Sequence, residues 1–323
     1  MDISHPHDSF FRLIVSKIER AAGLAQHCLP PSIARHILFE TMTAKPDTFV
    51  DSQLQNRFSD ALFSAQTRLG NPAYLYMLID HKSTPDLDVP LQLLRYYNQI
   101  WERHLTNQPG SMLPPIIGVV FYHGIRPWNY GEDLKARFDC SEDFHPYLPL
   151  FRYVLIDLST LELEQFQDSA DLKAALMLMK YIFHPSLHDF LPAIVKVLKA
   201  GRKQPDFLSF FEAFMLYLLK YLNQEHHETV EKLVHTEFPE EGETIMPTVA
   251  DKLREEGRQE GHQLFKKGLM KLLQAKFHGV PVLLQDSIMA VHDQSALEAF
   301  MDCAISADSL QQFEDGIKSI LSR

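Results

Sequence analysis

The sequence predicts an α/β fold followed by a helical extension, and two observations on its 323 residues support this. In the N-terminal half, segments with the composition of strands are interrupted by one segment of helical periodicity. From about residue 166 onward, helical periodicity dominates. A strand, a helix and a second strand within residues 73–122 favour a right-handed crossover in one sheet.

Two helices are predicted before the first strand. Apolar side chains recur at helical spacing in residues 8–27, and Pro30 and Pro31 close that helix. Residues 31–40 have the pattern of a second, shorter helix. Three strands follow in an apparent β-meander, with a turn at residues 70–72 before the third. These strands are predicted at residues 48–54, 57–66 and 73–80.

The crossover helix and two later strands complete the predicted sheet. Residues 88–105 have helical periodicity, with Asp86 or Asp88 as the cap and Pro90 tolerated in the first turn. Residues 114–124 form a near-continuous apolar run, which is typical of a strand buried on both faces. A further strand is predicted at residues 151–158.

Composition excludes several classes of protein. The net charge of −11 argues against nonspecific coating of nucleic acid, although it allows a local basic groove. Three distant cysteines make a disulfide framework or a zinc cluster improbable. No apolar run is long enough for a membrane span, and the N-terminus lacks the pattern of a secretory signal. We therefore expect a cytoplasmic protein.

The chain is expected to divide in three. Residues 1–235 form the α/β domain, residues 236–250 an acidic linker, and residues 251–323 a helical C-terminal region. The last region is expected to break at residues 278–281, where the sequence reads HGVP.

Acidic and basic side chains meet at the end of the strand at residues 73–80. Asp80 and Lys82 are two positions apart, so on an extended chain they point to the same face. Asp60 lies on the preceding strand, which can pair with this one as a hairpin. If Asp60 and Asp80 face the same side, two carboxylates and one ammonium group converge.

This residue set suits metal-dependent cleavage of a phosphodiester. Carboxylates hold divalent cations such as Mg²⁺, and a bound cation acidifies water and neutralises phosphate charge. A neighbouring ammonium group stabilises developing negative charge. An acid and a lysine at a strand end are also typical of an ordinary solvated turn, and the residues alone leave both interpretations open.

Several blocks of the sequence, in order, resemble the recombination-promoting nuclease family, which is transposase-like and belongs to the PD-(D/E)xK nuclease superfamily. The blocks cover roughly residues 5–130, and the helical continuation fits the family to about residue 235. They read HDSFFRLI (7–14), LPPSI (29–33), FVD (49–51), FSDALFS (58–64), YLYMLIDHKSTPD (74–86), LLRYYNQIWERHL (93–105) and LPPIIGVVFYHGIRPW (113–128).

The resemblance implies a restriction-endonuclease-like αβββαβ core and a DNA endonuclease that uses Mg²⁺, Mn²⁺ or Ca²⁺. Asp60 and Asp80 match the acids of the second and third strands, and Lys82 matches the last motif residue. The commonest family form has E-x-Q at this motif, whereas this chain has D-x-K, which is nearer to the general superfamily pattern. The carbonyl of His81 is a further candidate metal ligand.

Other candidate residues carry two interpretations each. Asp8 matches an N-terminal block of the family and is a possible site residue, but it is also an ordinary helix N-cap. Arg95 on the crossover helix could reach a phosphate or lie on a solvated face. Gln92, one turn earlier, could share the face of Arg95. We take Gln92 and Arg95 as candidate substrate-binding residues.

The C-terminal region repeats a Glu-Gly unit. Gly257 and Gly261 share a helical face with Gly268, so another helix could approach closely and form a homodimer. A flexible, charged connector explains the same pattern equally well.

Three functions remain after the sequence is read, and the weakest is a nuclease that acts on RNA, because the sequence shows no stacking signature for single strands. The first is a metal-dependent DNA endonuclease that promotes recombination through attack by water. The second is a catalytically inactive nuclease fold kept for binding a partner. The presence of Asp60, Asp80 and Lys82 together favours the first.

Overall fold

The structure is a computed structural model that describes residues 6–45, 61–80, 85–291 and 293–321. The chain divides into two compact units, residues 1–246 and residues 247–323. The division falls inside one long helix. Within the described ranges, no helix combines the length and the apolar character that a membrane crossing requires.

The first unit is a mixed α/β domain, as predicted. Its strands are β1 (Ile37–Ala44), β2 (Ala61–Thr67), β3 (Pro72–Asp80), β4 (Ile116–Tyr122) and β5 (Val154–Asp157). Its helices are α1 (Pro6–Ser16), α2 (Ile18–Cys28), α3 (Pro31–Ala34), α4 (Val89–Asn107), α5 (Ala170–Tyr181), α6 (Leu187–Ala200), α7 (Phe207–Tyr221), α8 (His227–Glu237) and the start of α9 (Pro239–Phe277).

The five strands form one sheet in the order β1-β2-β3-β4-β5. The pairs β1–β2 and β2–β3 are antiparallel, whereas β3–β4 and β4–β5 are parallel. Helix α4 lies between β3 and its parallel neighbour β4 in the chain, so the predicted strand–helix–strand connection is confirmed, while its right-handedness stays a prediction. Among the residues that the structure describes up to Asp157, α-helices and strands follow in the order three helices, three strands, a helix and two strands.

The face of the sheet that α4 covers is packed closely. Leu93, Tyr97 and Ile100 of α4 are buried in one cluster with Leu62 of β2 and Val120 of β4. Gly118 of β4 lies beneath Tyr97, where a Cβ atom would overlap the tyrosine hydroxyl. The absence of a side chain at residue 118 therefore sets how closely α4 approaches the sheet.

Helices α1 and α7 pack on the opposite side. The ring of Phe11 lies 4.0 Å from that of Phe121 on β4, and Phe10 stacks on Tyr217 of α7 at 4.4 Å. Helix α7 is apolar on nearly all sides, as expected for a helix at the centre of a domain. The layer of helices fixes the position of the N-terminal segment relative to β4.

Three predictions of local structure in this part of the chain differ from the structure. The helix predicted at residues 8–27 is two helices, α1 and α2, which are separated at Lys17. Residues 31–40 are not one helix, because only Pro31–Ala34 is helical and β1 begins at Ile37. The stretch predicted as an acidic linker, residues 236–250, is helical except at Phe238, since α8 ends at Glu237 and α9 begins at Pro239. The strand predicted at residues 48–54 and the start of the one predicted at 57–66 lie outside the described residues.

The second unit contains the rest of α9 with α10 (Val282–Ala290), α11 (Gln294–Ser306) and α12 (Leu310–Leu321). Leu269, Leu273, Phe300 and Phe313 are fully buried at its centre. The predicted break after Phe277 is confirmed, with His278 at a φ of 58°. Asp293 caps α11, because its Oδ2 accepts a hydrogen bond from the Ala296 N–H at 2.7 Å.

Candidate active site

The carboxyl ends of three parallel strands form one edge of the sheet. Asp80, the last residue of β3, pairs with Tyr122 of β4, and Tyr122 pairs with Asp157 of β5. We call the edge marked by Asp80, Tyr122 and Asp157 the carboxyl edge. In α/β sheets with parallel strands, ligands bind outside the carboxyl ends of the strands.

Strand β2 begins at the same edge. Its first residue, Ala61, pairs with Met77 of β3, so the peptide bond from Asp60 leads directly into the strand beside β3. The structure does not describe the predicted site residues Asp60, His81 and Lys82, nor the side chain of Asp80. The backbone of Asp80 thus lies at the carboxyl edge, and the convergence of Asp60, Asp80 and Lys82 stays a prediction.

Asp157 has a local role at the carboxyl edge. Its Oδ1 atom accepts hydrogen bonds from the Ser159 N–H at 2.9 Å and from the Ser159 hydroxyl at 2.6 Å. An aspartate that binds the chain two residues later stabilises a turn. Asp157 ends β5 as Asp80 ends β3, but the side chain of Asp157 stabilises the turn after β5.

Gln92 and Arg95 lie near the start of α4, as predicted. The Gln92 Nε2 atom donates to Asp86 Oδ2 at 3.3 Å, and Asp86 Oδ1 accepts from the Asp88 N–H at 2.9 Å. Arg95 is exposed and has no ion pair with any residue that the structure describes. Gln92 is held by Asp86, whereas the guanidinium of Arg95 faces solvent and is accessible to an anion.

A buried polar cluster lies where α1 begins, close to the end of β4. The Nδ1 atom of His7 and the Tyr217 hydroxyl are 2.5 Å apart and share a hydrogen bond. The His7 ring stacks on Tyr221 at 4.4 Å and meets the His123 ring edge-on at 5.0 Å. We call His7, Asp8, His123, Tyr217 and Tyr221 the N-terminal cluster.

Asp8 belongs to this cluster and is only 7% exposed. Burial raises the pKa of Tyr221 to about 12, and the negative charge of Asp8 adds to that shift. Helix α1 begins at Pro6, so Asp8 lies within the first turn rather than at the N-cap position that we considered. A carboxylate there is favoured by the positive end of the helix dipole.

The cluster joins the start of the chain to the carboxyl edge. His123 follows Tyr122, which is the β-sheet partner of Asp80. The His123 Nε2 atom donates to the Met179 carbonyl oxygen at 2.6 Å, so the ring is fixed from the side of α5. This bond gives His123 a structural role beside the edge.

A complete metal site is not found among the residues that are described. No three histidine, cysteine, aspartate or glutamate side chains come together there in a way that could hold a metal ion. The oxygen donors that the sequence predicts, Asp60 and the side chain of Asp80, fall outside that search. Whether their geometry suits a cation therefore stays a prediction.

Sequence reasoning missed the two tyrosines of the N-terminal cluster. Tyr217 and Tyr221 are one helical turn apart, a spacing that places both rings on one face of α7. Nothing local links them to His7, which is 210 positions earlier in the chain. Only the tertiary fold brings these residues together.

Comparison with known proteins agrees with the resemblance read from the sequence. The profile of the family described as "Putative transposase, YhgA-like" matches residues 5–208, which is more than half of the chain. The chain belongs to this family. The YhgA-like family is part of the PD-(D/E)xK nuclease superfamily.

Several relatives of this YhgA-like chain carry nuclease names. Recombination-promoting nuclease RpnA of Escherichia coli K12 is 26% identical over 259 residues, which cover 79% of this chain and 86% of RpnA. Recombination-promoting nuclease RpnD of Escherichia coli O157:H7 is 31% identical over 129 residues, 39% of this chain and 49% of RpnD.

A further relative is named as inactive. The inactive recombination-promoting nuclease-like protein RpnE of Escherichia coli K12 is 24% identical over 261 residues, 80% of this chain and 85% of RpnE. The YhgA-like relatives therefore include both nucleases and a protein named as inactive. No solved structure has significant similarity to the chain.

Proposed function

We propose that this protein is a metal-dependent DNA endonuclease that promotes recombination, with its active site at the carboxyl edge. The observation that carries the proposal is the position of Asp80. Asp80 is the last residue of β3, at the edge where the parallel strands β3, β4 and β5 all end. The neighbouring strand β2, which follows Asp60 in the chain, begins at the same edge. The nuclease names of RpnA and RpnD support the same reaction class.

The proposed core is restriction-endonuclease-like. Its support is the order of elements around the carboxyl edge, a helical layer, three strands, a helix and a fourth strand. In this arrangement β3 carries the acidic motif, and α4 returns the chain to a parallel neighbour.

The donor set at the proposed site fits a hard divalent cation by its chemistry. The carboxylates of Asp60 and Asp80 and the carbonyl of His81 are oxygen donors, which Mg²⁺ prefers, with Mn²⁺ and Ca²⁺ as alternatives. When bound, such a cation would acidify a water molecule and neutralise charge on the phosphate. Asp8, buried in the N-terminal cluster, is a further candidate near this edge.

Three further side chains, those of Lys82, Arg95 and Gln92, position the DNA substrate in this proposal. Lys82 follows Asp80 by two residues, so its ammonium group can stabilise the charge that develops on the phosphate. Arg95 is exposed on α4 and offers a planar guanidinium for a neighbouring phosphate. Gln92 is held by Asp86 and provides a second polar contact from the same helix.

A plasmid cleavage assay tests the proposal. The purified protein is incubated with supercoiled DNA in Mg²⁺, Mn²⁺, Ca²⁺ or EDTA, beside Asp60→Asn, Asp80→Asn and Lys82→Gln. We expect nicking or linearisation only with metal and none detectable with either aspartate variant. Lys82→Gln should reduce the rate by about 10²–10³-fold, because one stabilising group for the developing charge is lost.

Asp157→Asn is the matched control. It changes an acid at the same edge but keeps an Oδ1 acceptor for Ser159, so cleavage should persist. If cleavage survives Asp60→Asn and Asp80→Asn equally, the chemistry lies elsewhere. Absence of cleavage with every metal, together with no metal binding by calorimetry, would favour a partner-binding protein, like the relative named as inactive.

A further inference from the structure

A groove of about 260 Å³ opens between α1 and the ends of β1 and β2. We call it the α1–β1 groove. Two cations line it, Arg12 from the middle of α1 and Lys45 from the residue after β1. The whole lining is residues 12, 15, 16, 44, 45 and 61–63.

Among the described residues, no carboxylate pairs with either cation of the α1–β1 groove. Arg12 is exposed and Lys45 half-buried, and neither has an ion pair with a residue in the described ranges. None of the residues that line the groove is acidic. The chain has 42 acidic and 31 basic residues, so a groove lined by two cations and no acid departs from its overall charge balance.

A second cavity in the same unit differs from the α1–β1 groove in that its cations lie beside acids. It has a volume of about 340 Å³ and contains Lys17 and Arg20, but also several acids. There Arg20 is 2.6 Å from both Asp171 and Asp206, and Lys17 is 2.6 Å from Asp206. Its cations are neutralised within the protein, whereas no acid in the described ranges neutralises those of the α1–β1 groove.

The chain positions of both cations are fixed. Arg12 lies next to Phe11, whose ring packs on Phe121 of β4. The Lys45 N–H donates to the Leu62 carbonyl oxygen at 2.8 Å, which extends the β1–β2 pairing by one residue. The backbone positions from which the two charged side chains extend are therefore fixed.

The groove lies at the end of the sheet that carries the proposed active site. Ala61 lines it and pairs with Met77, three positions before Asp80 on β3. At about 3.3 Å per residue this offset is about 10 Å along the strand. Charges on one DNA strand repeat about every 3.4 Å of helix axis, so the offset corresponds to roughly three nucleotides.

We propose that Arg12 and Lys45 bind phosphates of the DNA backbone a few nucleotides from the one cut at the carboxyl edge. The inference rests on the proposed function and identifies where the substrate continues beyond Asp80. The two cations act as positioning residues through phosphate contacts, which carry no sequence information. They provide a local basic surface in an acidic protein.

Salt-dependent DNA binding of the full chain tests the inference. The affinity for a fluorescent 30-base-pair duplex is measured in EDTA, where no cutting is expected, at about 50 to 300 mM KCl. Arg12→Gln/Lys45→Gln should lower the slope of log affinity against log salt by about 1.8, since each phosphate contact contributes about 0.9. At about 100 mM salt we expect binding weakened by about 10- to 100-fold.

Two control variants separate charge at this site from charge in general. Arg12→Lys/Lys45→Arg keeps both charges and should retain the wild-type slope. Lys196→Gln/Lys203→Gln removes two exposed charges that do not line the groove, and its slope should also match wild type.

An unchanged slope for Arg12→Gln/Lys45→Gln would overturn the inference, as would an equal drop for Lys196→Gln/Lys203→Gln. Failure of the inference is distinguishable from failure of the proposed function. If wild type binds and cuts DNA but Arg12→Gln/Lys45→Gln has the wild-type salt slope, only the proposed phosphate contacts are disproved. If wild type neither binds nor cuts DNA, both proposals fall.

Discussion

At the scale of single residues, Arg20 makes the most consequential contacts. Its side chain is 3% exposed, with Nε at 2.6 Å from Asp171 and a terminal nitrogen at 2.6 Å from Asp206. The guanidinium also lies 4.3 Å above the ring of Phe210. One side chain of α2 therefore joins the start of α5 to the start of α7.

The two acids that face Arg20 make stability depend on pH. Burial alone raises the pKa of Asp171, but the hydrogen bond and charge of Arg20, with bonds from Ser169 and the Leu172 N–H, lower it overall. For Asp206, burial acts in the same direction, and Lys17 and Arg20 lower the pKa overall. A carboxyl with a lowered folded pKa stabilises the fold above its unfolded pKa, and that contribution is lost as the pH falls through the folded pKa.

Replacing Arg20 should therefore destabilise the first unit, most strongly at neutral pH. Arg20→Gln leaves Asp171 buried without its cation, which costs about 3–5 kcal/mol. The deficit should shrink as the pH falls below the usual carboxyl pKa of about 4, because Asp171 then becomes neutral. Urea unfolding followed by tryptophan fluorescence measures this, since Trp101 and Trp128 are the two tryptophans and both lie in the first unit.

Lys199→Gln is the control for Arg20→Gln. It removes a solvent-exposed ion pair with Glu237, so its cost should stay below about 1 kcal/mol at every pH. A deficit for Arg20→Gln that did not change between pH 7 and pH 3 would contradict the assignment to the carboxylates.

At the scale of elements, the sequence predicted best where burial is heaviest. Strands β3 and β4 and helix α4 have long apolar patterns that only one secondary structure satisfies. β1 was missed because it is the first strand of the sheet order and only two of its eight residues are buried, without alternation. Its conformation is decided by pairing with β2, which local sequence does not encode.

The start of α9 was missed for a different reason. The segment is rich in acidic residues and contains Pro247, so its helical pattern is weak in the sequence. Its apolar side chains at helical spacing, Ile245 and Val249, are 6% and 0% exposed. Tertiary burial of that pair outweighs the helix-breaking tendency of the proline.

The candidate site was predicted only as far as one strand can show. Asp80 was expected at a strand end because the preceding residues are uniformly apolar. The cations of the α1–β1 groove were not found, since Arg12 and Lys45 lie on different elements and line one groove only in the folded chain. The spacing of these two residues in the sequence does not indicate that they line the same groove.

The contact between α4 and β4 gives a test of packing. Gly118→Ala would place a Cβ atom against the Tyr97 hydroxyl, with Leu93 at 3.2 and 3.3 Å, so it should cost about 1–3 kcal/mol. Adding Tyr97→Phe removes the overlapping oxygen and should recover part of the loss. Unfolding followed by tryptophan fluorescence measures both.

Gly23→Ala on α2 is the comparison for Gly118→Ala. Its Cβ would meet Leu172 at 3.5 Å, an ordinary contact, so helix propensity should make the change neutral or stabilising by up to about 1 kcal/mol. Equal effects for the two alanines would show that α4 can shift away from the sheet.

At the scale of the whole molecule, the glycines of α9 bear on association. Gly257, Gly261 and Gly268 have no atom within 4 Å of the position that a Cβ would occupy, so their helix surface is open. We propose that this surface forms a homodimer by close approach of two helices. A charged connector remains the competing explanation of the same residues.

Light scattering of the full chain tests the homodimer. Wild type should have twice the chain mass of 37.2 kDa, and Gly257→Leu/Gly261→Leu should be monomeric, because the leucines keep the helices apart. Lys267→Leu, an exposed change off the glycine face, should remain dimeric. A monomeric wild type would remove the idea.

The bond between His7 and Tyr217 also has a consequence for synthesis of the chain. Ribosomes add about 5–20 residues per second, so the partner of His7 is made roughly 10–40 s after it, across a separation of 210 residues. Until α7 emerges, Phe10 and the N-terminal cluster have no stacking partner from that helix. The nascent strands β1–β5 are all translated during this interval, and their apolar surfaces must be shielded from other chains before α7 arrives.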